Sequence, residues 1–449
     1  MKRFILPALL LFITVLIQNE AVAQVVSSPY SRYGIGEIGG KGFGQNFAMG
    51  GTSIALHNDT TPYFINPNNP ASYSNIGWTS AELGANIGIT QLQSSSIKQT
   101  VSSASLGYLS LGIPLKKWWG ASVGLIPYSS VGYKVSDNQS IANVGDVNFI
   151  YEGSGGVNQL YLGNGIKPLY GLKNKALSSL SLGFNASYMF GNIDNVKRSI
   201  FPSTTKYFNT RAATTTRVGD IYFDYGVQYS YTVDSMKGKA LKEKFKILFG
   251  ATFANETALT AKVDSLAYTY LNSSNYEIVK DTIQNIEGVK GSLKMPLSFG
   301  IGLGVKRGER LLIAGDFRIQ NWSSYRFFNN SQNLKNSITA SLGAQYAPFQ
   351  EGSTKGKYLK SINYRAGIRY SETPIELKNT RLKEYSLSFG FSLPVDYSMD
   401  YKRYMSRLNI GVEIGQRGTT VNGLIKEQFI RGTVSFSIND RWFRKVQYN

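Results

Sequence analysis

The 449-residue chain has no cysteine and a single histidine, His57. Without thiols it holds neither a disulfide nor a thiolate metal site. No calcium loop or H-E-x-x-H pattern is present, so the reading includes no metal and no cofactor. A lone histidine cannot build the His with Ser or Asp constellations of hydrolytic sites, because a general base must reach its nucleophile. His57 therefore reads as a plain polar residue, and the chain as a non-enzyme with no catalytic residues. Past the first two dozen residues no apolar run is long enough for a membrane helix. Charge is sparse at 17%, and acids are scarcer than bases: 28 against 48, for a net charge of +20. That excess suits anionic lipid headgroups, anionic substrates or an acidic partner protein.

The start of the chain reads as a targeting segment. Lys2 and Arg3 precede an apolar stretch from Phe4 to Ile17, and Ala21-Val22-Ala23 forms a small-residue cleavage site before Gln24. Residues 1–23 are thus expected to be a signal peptide. Nucleic acid is not an expected partner for an exported chain.

What the chain has in abundance is alternation. Leu180, Leu182, Phe184, Ala186, Tyr188 and Phe190 alternate with small polar residues. Tyr385, Leu387, Phe389, Phe391 and Leu393 oppose Ser386, Ser388, Gly390 and Ser392, and Leu293, Met295, Leu297, Phe299, Ile301 and Leu303 are read as one face of another strand. Period-two patterning over about 10 residues is the mark of a membrane barrel strand, with one face to lipid and one to the lumen. A two-sheet sandwich also alternates, but its buried faces would not stay this aromatic opposite so many glycines and serines. Residues 76–449 are therefore expected to form an all-β transmembrane antiparallel barrel in the outer membrane. Strands are expected at 79–91, 103–114, 119–131, 145–162, 178–190, 219–232, 244–255, 293–306, 309–322, 335–347, 361–371, 384–394, 406–417 and 427–439. That is about 14 strands, an even number, with both termini periplasmic and the two longest connections, 191–218 and 256–292, as external loops. Trp78, Trp118, Trp119, Trp322 and Trp442 fall at or beside strand ends, as two interfacial girdles would require.

Residues 24–75 break the alternation. They are rich in Gly and Asn-Pro, which make turns and close backbone approaches. Ahead of a barrel, such a segment is expected inside the lumen as a plug. Gly34-Ile35-Gly36-Glu37-Ile38-Gly39 matches G-x-G-x-x-G but follows no strand and opens no helix, so its glycines read as turn formers.

The run Phe43-Gly44 through Met49-Gly50-Gly51-Thr52-Ser53-Ile54-Ala55, then Asp59, then Asn69-Pro70-Ala71, resembles the hatch of the FadL family of outer-membrane channels for long-chain fatty acids and other hydrophobic compounds. This chain departs from it in a doubled Asn-Pro, with Asn66-Pro67 ahead of Asn69-Pro70. The resemblance implies a fourteen-stranded barrel with an N-terminal hatch containing Gly50, Gly51, Asp59, Asn66, Pro67, Asn69, Pro70 and Ala71. It further implies passive uptake of a hydrophobic small molecule, with sideways exit into outer-membrane lipid beside a kinked third strand. The third strand here contains Pro127, and proline cannot donate a ladder hydrogen bond. Some FadL-like barrels instead bind partner proteins in type IX secretion and gliding machinery, and a structural or adhesive surface barrel is a third reading. Arg365 and Arg369 share the lumenal face of one strand. They are candidates to meet an anion, or to line a polar lumen paired with acids such as Glu413.

Overall fold

The computed structural model describes residues 28–39, 43–57, 63–174, 177–203, 206–233, 245–273, 276–348, 358–395 and 406–440. Residues 1–23, expected to be a signal peptide, and Asp59 and Trp442 lie outside these residues.

Sixteen strands carry the architecture: β1 (Thr79–Gln93), β2 (Lys98–Lys116), β3 (Trp119–Ile141), β4 (Gly145–Ile166), β5 (Ser181–Ile200), β6 (Asn209–Val233), β7 (Phe245–Ala254), β8 (Thr257–Ser273), β9 (Tyr276–Met295), β10 (Ser298–Arg307), β11 (Leu311–Gln320), β12 (Ser337–Tyr346), β13 (Asn363–Leu377), β14 (Thr380–Pro394), β15 (Arg407–Gly418) and β16 (Lys426–Asp440). Fourteen of them, β1–β7 and β10–β16, form a closed antiparallel wall. The wall closes where β16 pairs with β1 over fifteen positions, from Lys426 opposite Gln93 to Asp440 opposite Thr79. No described helix is long and apolar enough to cross a membrane.

Side-chain parity explains the wall. On β14, Leu387 is 42% exposed while Ser388 beside it is 1% exposed. The outward face repeats Leu, Ile, Phe and Tyr around the ring, which would be costly in water and suits hydrocarbon. The inward face is small or polar.

Three expectations are corrected. The eighth wall strand starts at Ser298, not at residue 293. Leu293 and Met295 end the preceding strand, β9, and are buried in an apolar cluster rather than facing outward. The unbroken alternation hid this boundary, because Pro296 and Leu297 continue the pattern while leaving the ladder. Secondly, the long connections 191–218 and 256–292 are largely strands. β5 and β6 run past the wall and pair with each other, and β8 then pairs with Asn209–Val218 of β6 and with β9. This ordered extension projects at what is here called the hairpin end; the short connections mark the opposite, turn end. Thirdly, Trp322 is 2% exposed and packs inside against Tyr325, with its ring N–H donating to Gln320 Oε1. It belongs to no girdle. Trp78, Trp118 and Trp119 lie at the turn end and are half-buried.

Candidate functional site: a lumenal cavity beside a gap in the wall

Residues 43–57 and 63–76 touch wall strands all round the ring. Gly50 N–H donates to Ser388 Oγ at 2.8 Å on β14. Ser53 and Ile54 N–H groups donate to Asp316 Oδ2 at 2.6 and 2.9 Å on β11. Ile65 N–H donates to Glu82 Oε1 at 2.9 Å on β1, and Tyr73 O–H to Asn185 Oδ1 at 3.0 Å on β5. Only a segment within the ring reaches all of these. Inward-facing glycines make the room: a Cβ at Gly367 would collide with the backbone of Met49 and Gly50. Gly50 itself has φ 70°, which favours glycine.

The doubled Asn-Pro has two separate jobs. Asn66 Nδ2 donates to the carbonyls of Ser53 and Leu56 at 2.7 and 2.9 Å, which folds the segment on itself. Asn69 Nδ2 donates to Ile54 O at 2.7 Å and Val227 O at 3.0 Å, which ties it to β6. Asn69 Oδ1 also accepts from Ala71 N–H and caps the short helical turn Pro70–Asn75. His57 is buried within this segment.

Pro127 lies where the wall parts. β2 and β3 pair over seven positions, from Lys116 opposite Trp119 to Leu109 opposite Leu125, and then separate. Beyond Leu125 the free edge of β3 is taken by the N-terminal segment: Glu37 pairs with Ser130, and Ile38 with Ser129. Gly39 N–H donates to Tyr128 O at 2.9 Å, and Ser28 N–H to Gly132 O at 3.0 Å. A bulge follows Pro127 in the β3–β4 ladder. Across the parting, Leu106 of β2 is 49% exposed.

A cavity of about 430 Å³ opens on this parting. Its lining includes Ser103, Leu106 and Gly107 of β2, Pro127 and Ser130 of β3, and Gly36–Gly39 between them. On its far side lie Arg369, Glu384, Glu413, Arg417 and Arg431. These are knitted together. Arg369 pairs with Glu413 at 2.6 Å and Glu384 at 2.9 Å. Arg417 pairs with Glu427 at 2.6 Å and Glu37 at 3.1 Å, and Arg431 pairs with Glu37 at 2.7 Å and Glu413 at 3.4 Å. Glu37 therefore links the strand that covers the gap to β15 and β16. Burial pushes its carboxyl up, but Arg417 and then Arg431 outweigh this and hold it at about 2.

The two arginines singled out in the sequence behave differently. Arg369 meets Glu413, as one of the two readings has it. Arg365 meets amides instead, donating to Gln345 Oε1 at 2.8 Å and to Gln45 Oε1 of the N-terminal segment at 3.0 Å. Sequence reasoning missed Glu37, Glu384, Arg417, Glu427 and Arg431. Strand parity would have found four of them, since each alternates with outward apolar residues such as Tyr385, Ile414 and Ile430. Glu37 gave no such signal, because its segment reads as turn glycines. Among the described residues no group of His, Asp and Glu could hold a metal ion.

The BamG family profile matches residues 1–449. The chain belongs to the BamG family. No curated protein matches it. Among solved structures, this BamG-family chain is similar to the toluene transporter TbuX of Ralstonia pickettii, at 13% identity and TM-score 0.53, covering 90% of this chain and 98% of that one. It is also similar to the toluene transporter TodX of Pseudomonas putida, at 17% identity and TM-score 0.52, with 91% and 100% covered. A third, the CymD monoaromatic hydrocarbon channel, has 14% identity and TM-score 0.50, with 91% and 99% covered. At these identities the likeness is one of fold. The family name differs from that of the FadL resemblance, while the barrel architecture agrees with it.

Proposed function

We propose that this BamG-family chain is an outer-membrane channel for passive uptake of hydrophobic small molecules, long-chain fatty acids among them. The observation that carries the reading is the cavity bordered by both edges of the parting between β2 and β3. A molecule entering at the hairpin end would reach this cavity above residues 43–76, which act as the hatch, and would leave sideways past Pro127 into lipid. Opening the side would require Glu37–Ile38 to leave β3. The toluene and hydrocarbon channels of like fold support the substrate class. In this reading the termini lie in the periplasm, and residues 1–23 are the signal peptide that sends the chain there.

The absence of native cysteine allows a clean test. Ile38→Cys with Ser129→Cys would lock the strand over the gap. Uptake of labelled oleate or toluene by the native host, with the gene deleted and then restored, should fall on oxidation and return on reduction. Undiminished uptake by the locked chain would exclude sideways exit, and uptake unaffected by deletion would exclude the channel.

A second reading, a partner-binding barrel such as a subunit of type IX secretion or gliding machinery, is favoured by β9. Its residues from Tyr276 to Lys290 are almost all exposed, including Ile278, Val279, Ile283 and Ile286. Loss of protein secretion with intact uptake in the deletion strain would select it.

A further inference from the structure

Charge is disposed differently at the hairpin end and at the turn end of β2–β5. At the hairpin end basic residues meet acids: Lys134 and Arg198 both pair with Glu152, Arg211 pairs with Glu277, and Lys294 with Glu256. At the turn end of β2–β5, among the described residues, Lys116, Lys117 and Lys173 make no ion pair with an acid. The chain contains no Asp or Glu from residue 83 to residue 136, nor from 153 to 193. Within those stretches the turn joining β2 to β3 carries Lys116 and Lys117, and the connection from β4 to β5 carries Lys167 and Lys173. The two are neighbours: Lys167 N–H donates to Trp118 O at 2.8 Å, and Trp119 Nε1 donates to Asn164 Oδ1 at 3.1 Å. Lys116, Lys117 and Lys173 are exposed, and Lys116 Nζ sits 5.2 Å from the centre of the Trp118 ring.

Apolar surface surrounds these lysines. Leu115, Tyr170 and Leu172 are exposed among them. Just inside, on the outward faces of β3 and β4, lie Val123, Leu160 and Leu162. A free anion would use only the cations. A molecule with a phosphate and hydrocarbon tails uses both, with the head on the lysines and the tails along the outward apolar face. Indole rings at this level suit the boundary between the two.

We propose that the adjoining turns Lys116–Trp119 and Lys167–Lys173 form a headgroup site for an anionic phospholipid of the leaflet at the turn end. The site rests on the membrane-spanning reading of the wall and is independent of what the cavity carries. It gives part of the excess positive charge of the chain a defined place and partner.

The test uses the full-length processed barrel, purified and delipidated in neutral detergent, then offered equal phosphatidylglycerol and phosphatidylcholine. Retained lipid is counted by native mass spectrometry. Each lysine should contribute up to about fivefold. Phosphatidylglycerol should therefore be retained roughly 10-fold or more over phosphatidylcholine, with the preference falling as salt rises. Lys116→Gln, Lys117→Gln and Lys173→Gln together should abolish the preference. A control with Lys262→Gln, Lys280→Gln and Lys290→Gln at the hairpin end should keep it. Lys167 is left alone because its backbone holds the turn, and a heat-modifiable gel shift confirms that each variant is folded. Equal retention of the two lipids by the native chain, or an equal loss in both triple variants, would overturn the proposal. Equal retention would leave an acidic protein surface as the complement of the lysines.

Discussion

Two seams of the same wall, two strands apart, end differently. Between β16 and β1 the ladder runs unbroken for fifteen positions. Between β2 and β3 it stops after seven, although both strands continue. The difference does not come from a shortage of strand formers, since β3 goes on to pair with β4 as far as Ile141. It comes from competition for one edge. Residues 28–39 occupy the backbone donors and acceptors of β3 that β2 would otherwise take, and buried peptide groups must be paired by one or the other. At one place the wall thus takes a short strand from the N-terminal segment, held by the ion pairs of Glu37 with Arg417 and Arg431.

The largest effect should come from removing that charge. Arg417→Met would leave Glu37, Glu384 and Glu427 short of a cation they share. Stranding buried carboxylates costs about 3–5 kcal/mol. The expected result is release of residues 28–39 with the wall intact, read as new protease cleavage in that segment while the heat-modifiable gel shift is kept. If the whole barrel unfolds instead, the two seams do not differ in the way argued.

Acid should do the same more gradually. Glu37 lies off the wall strands, and its carboxyl falls from an ordinary 4.5 to about 2. A lowered folded-state value means that its stabilisation is complete above pH 4.5 and is lost as pH falls through about 2. The shift corresponds to about 3 kcal/mol. Protease accessibility of residues 28–39 should therefore rise between pH 4.5 and 2. In Glu37→Gln the segment should start looser and show a smaller acid response. An unchanged acid response in that variant would remove Glu37 from the account.

The third test is steric. Gly36 has φ 101°, and a Cβ there would come 2.5 Å from Ser130 O. Gly36→Val should loosen the segment by about 1–3 kcal/mol, seen in the same cleavage assay. Cleavage at the native rate would mean that the segment does not need this close approach.

Much of the wall was legible because parity is a local property. Each strand announces itself by its own alternation, so fourteen could be placed one at a time. The hairpin β8–β9 was not legible, since β9 from Tyr276 to Lys290 is exposed on both faces and carries little alternation. Trp322 was misplaced because proximity to a strand end does not say which way a ring turns. The charged lumenal cluster was half legible. Arg369 and Glu413 could be placed by parity, but Glu37, which pairs with Arg417 and Arg431, comes from a segment 380 residues before Arg417, and no local pattern encodes that meeting.

The smallest expected effect concerns Pro127, which the sequence made the most conspicuous residue of the third strand. If the missing N–H of proline opened the wall, Pro127→Ala would let β2 and β3 zip past Leu109 and Leu125, and uptake would fall. The structure places the cause elsewhere. The β3 edge beyond Leu125 is already filled by Glu37–Ile38, Gly39 and Ser28, and restoring one donor does not displace four backbone partners. Stability should change by no more than about 1 kcal/mol, and uptake of labelled oleate should stay near native. A pronounced loss of uptake in Pro127→Ala, with residues 28–39 still protected, would return the parting of the seam to the proline.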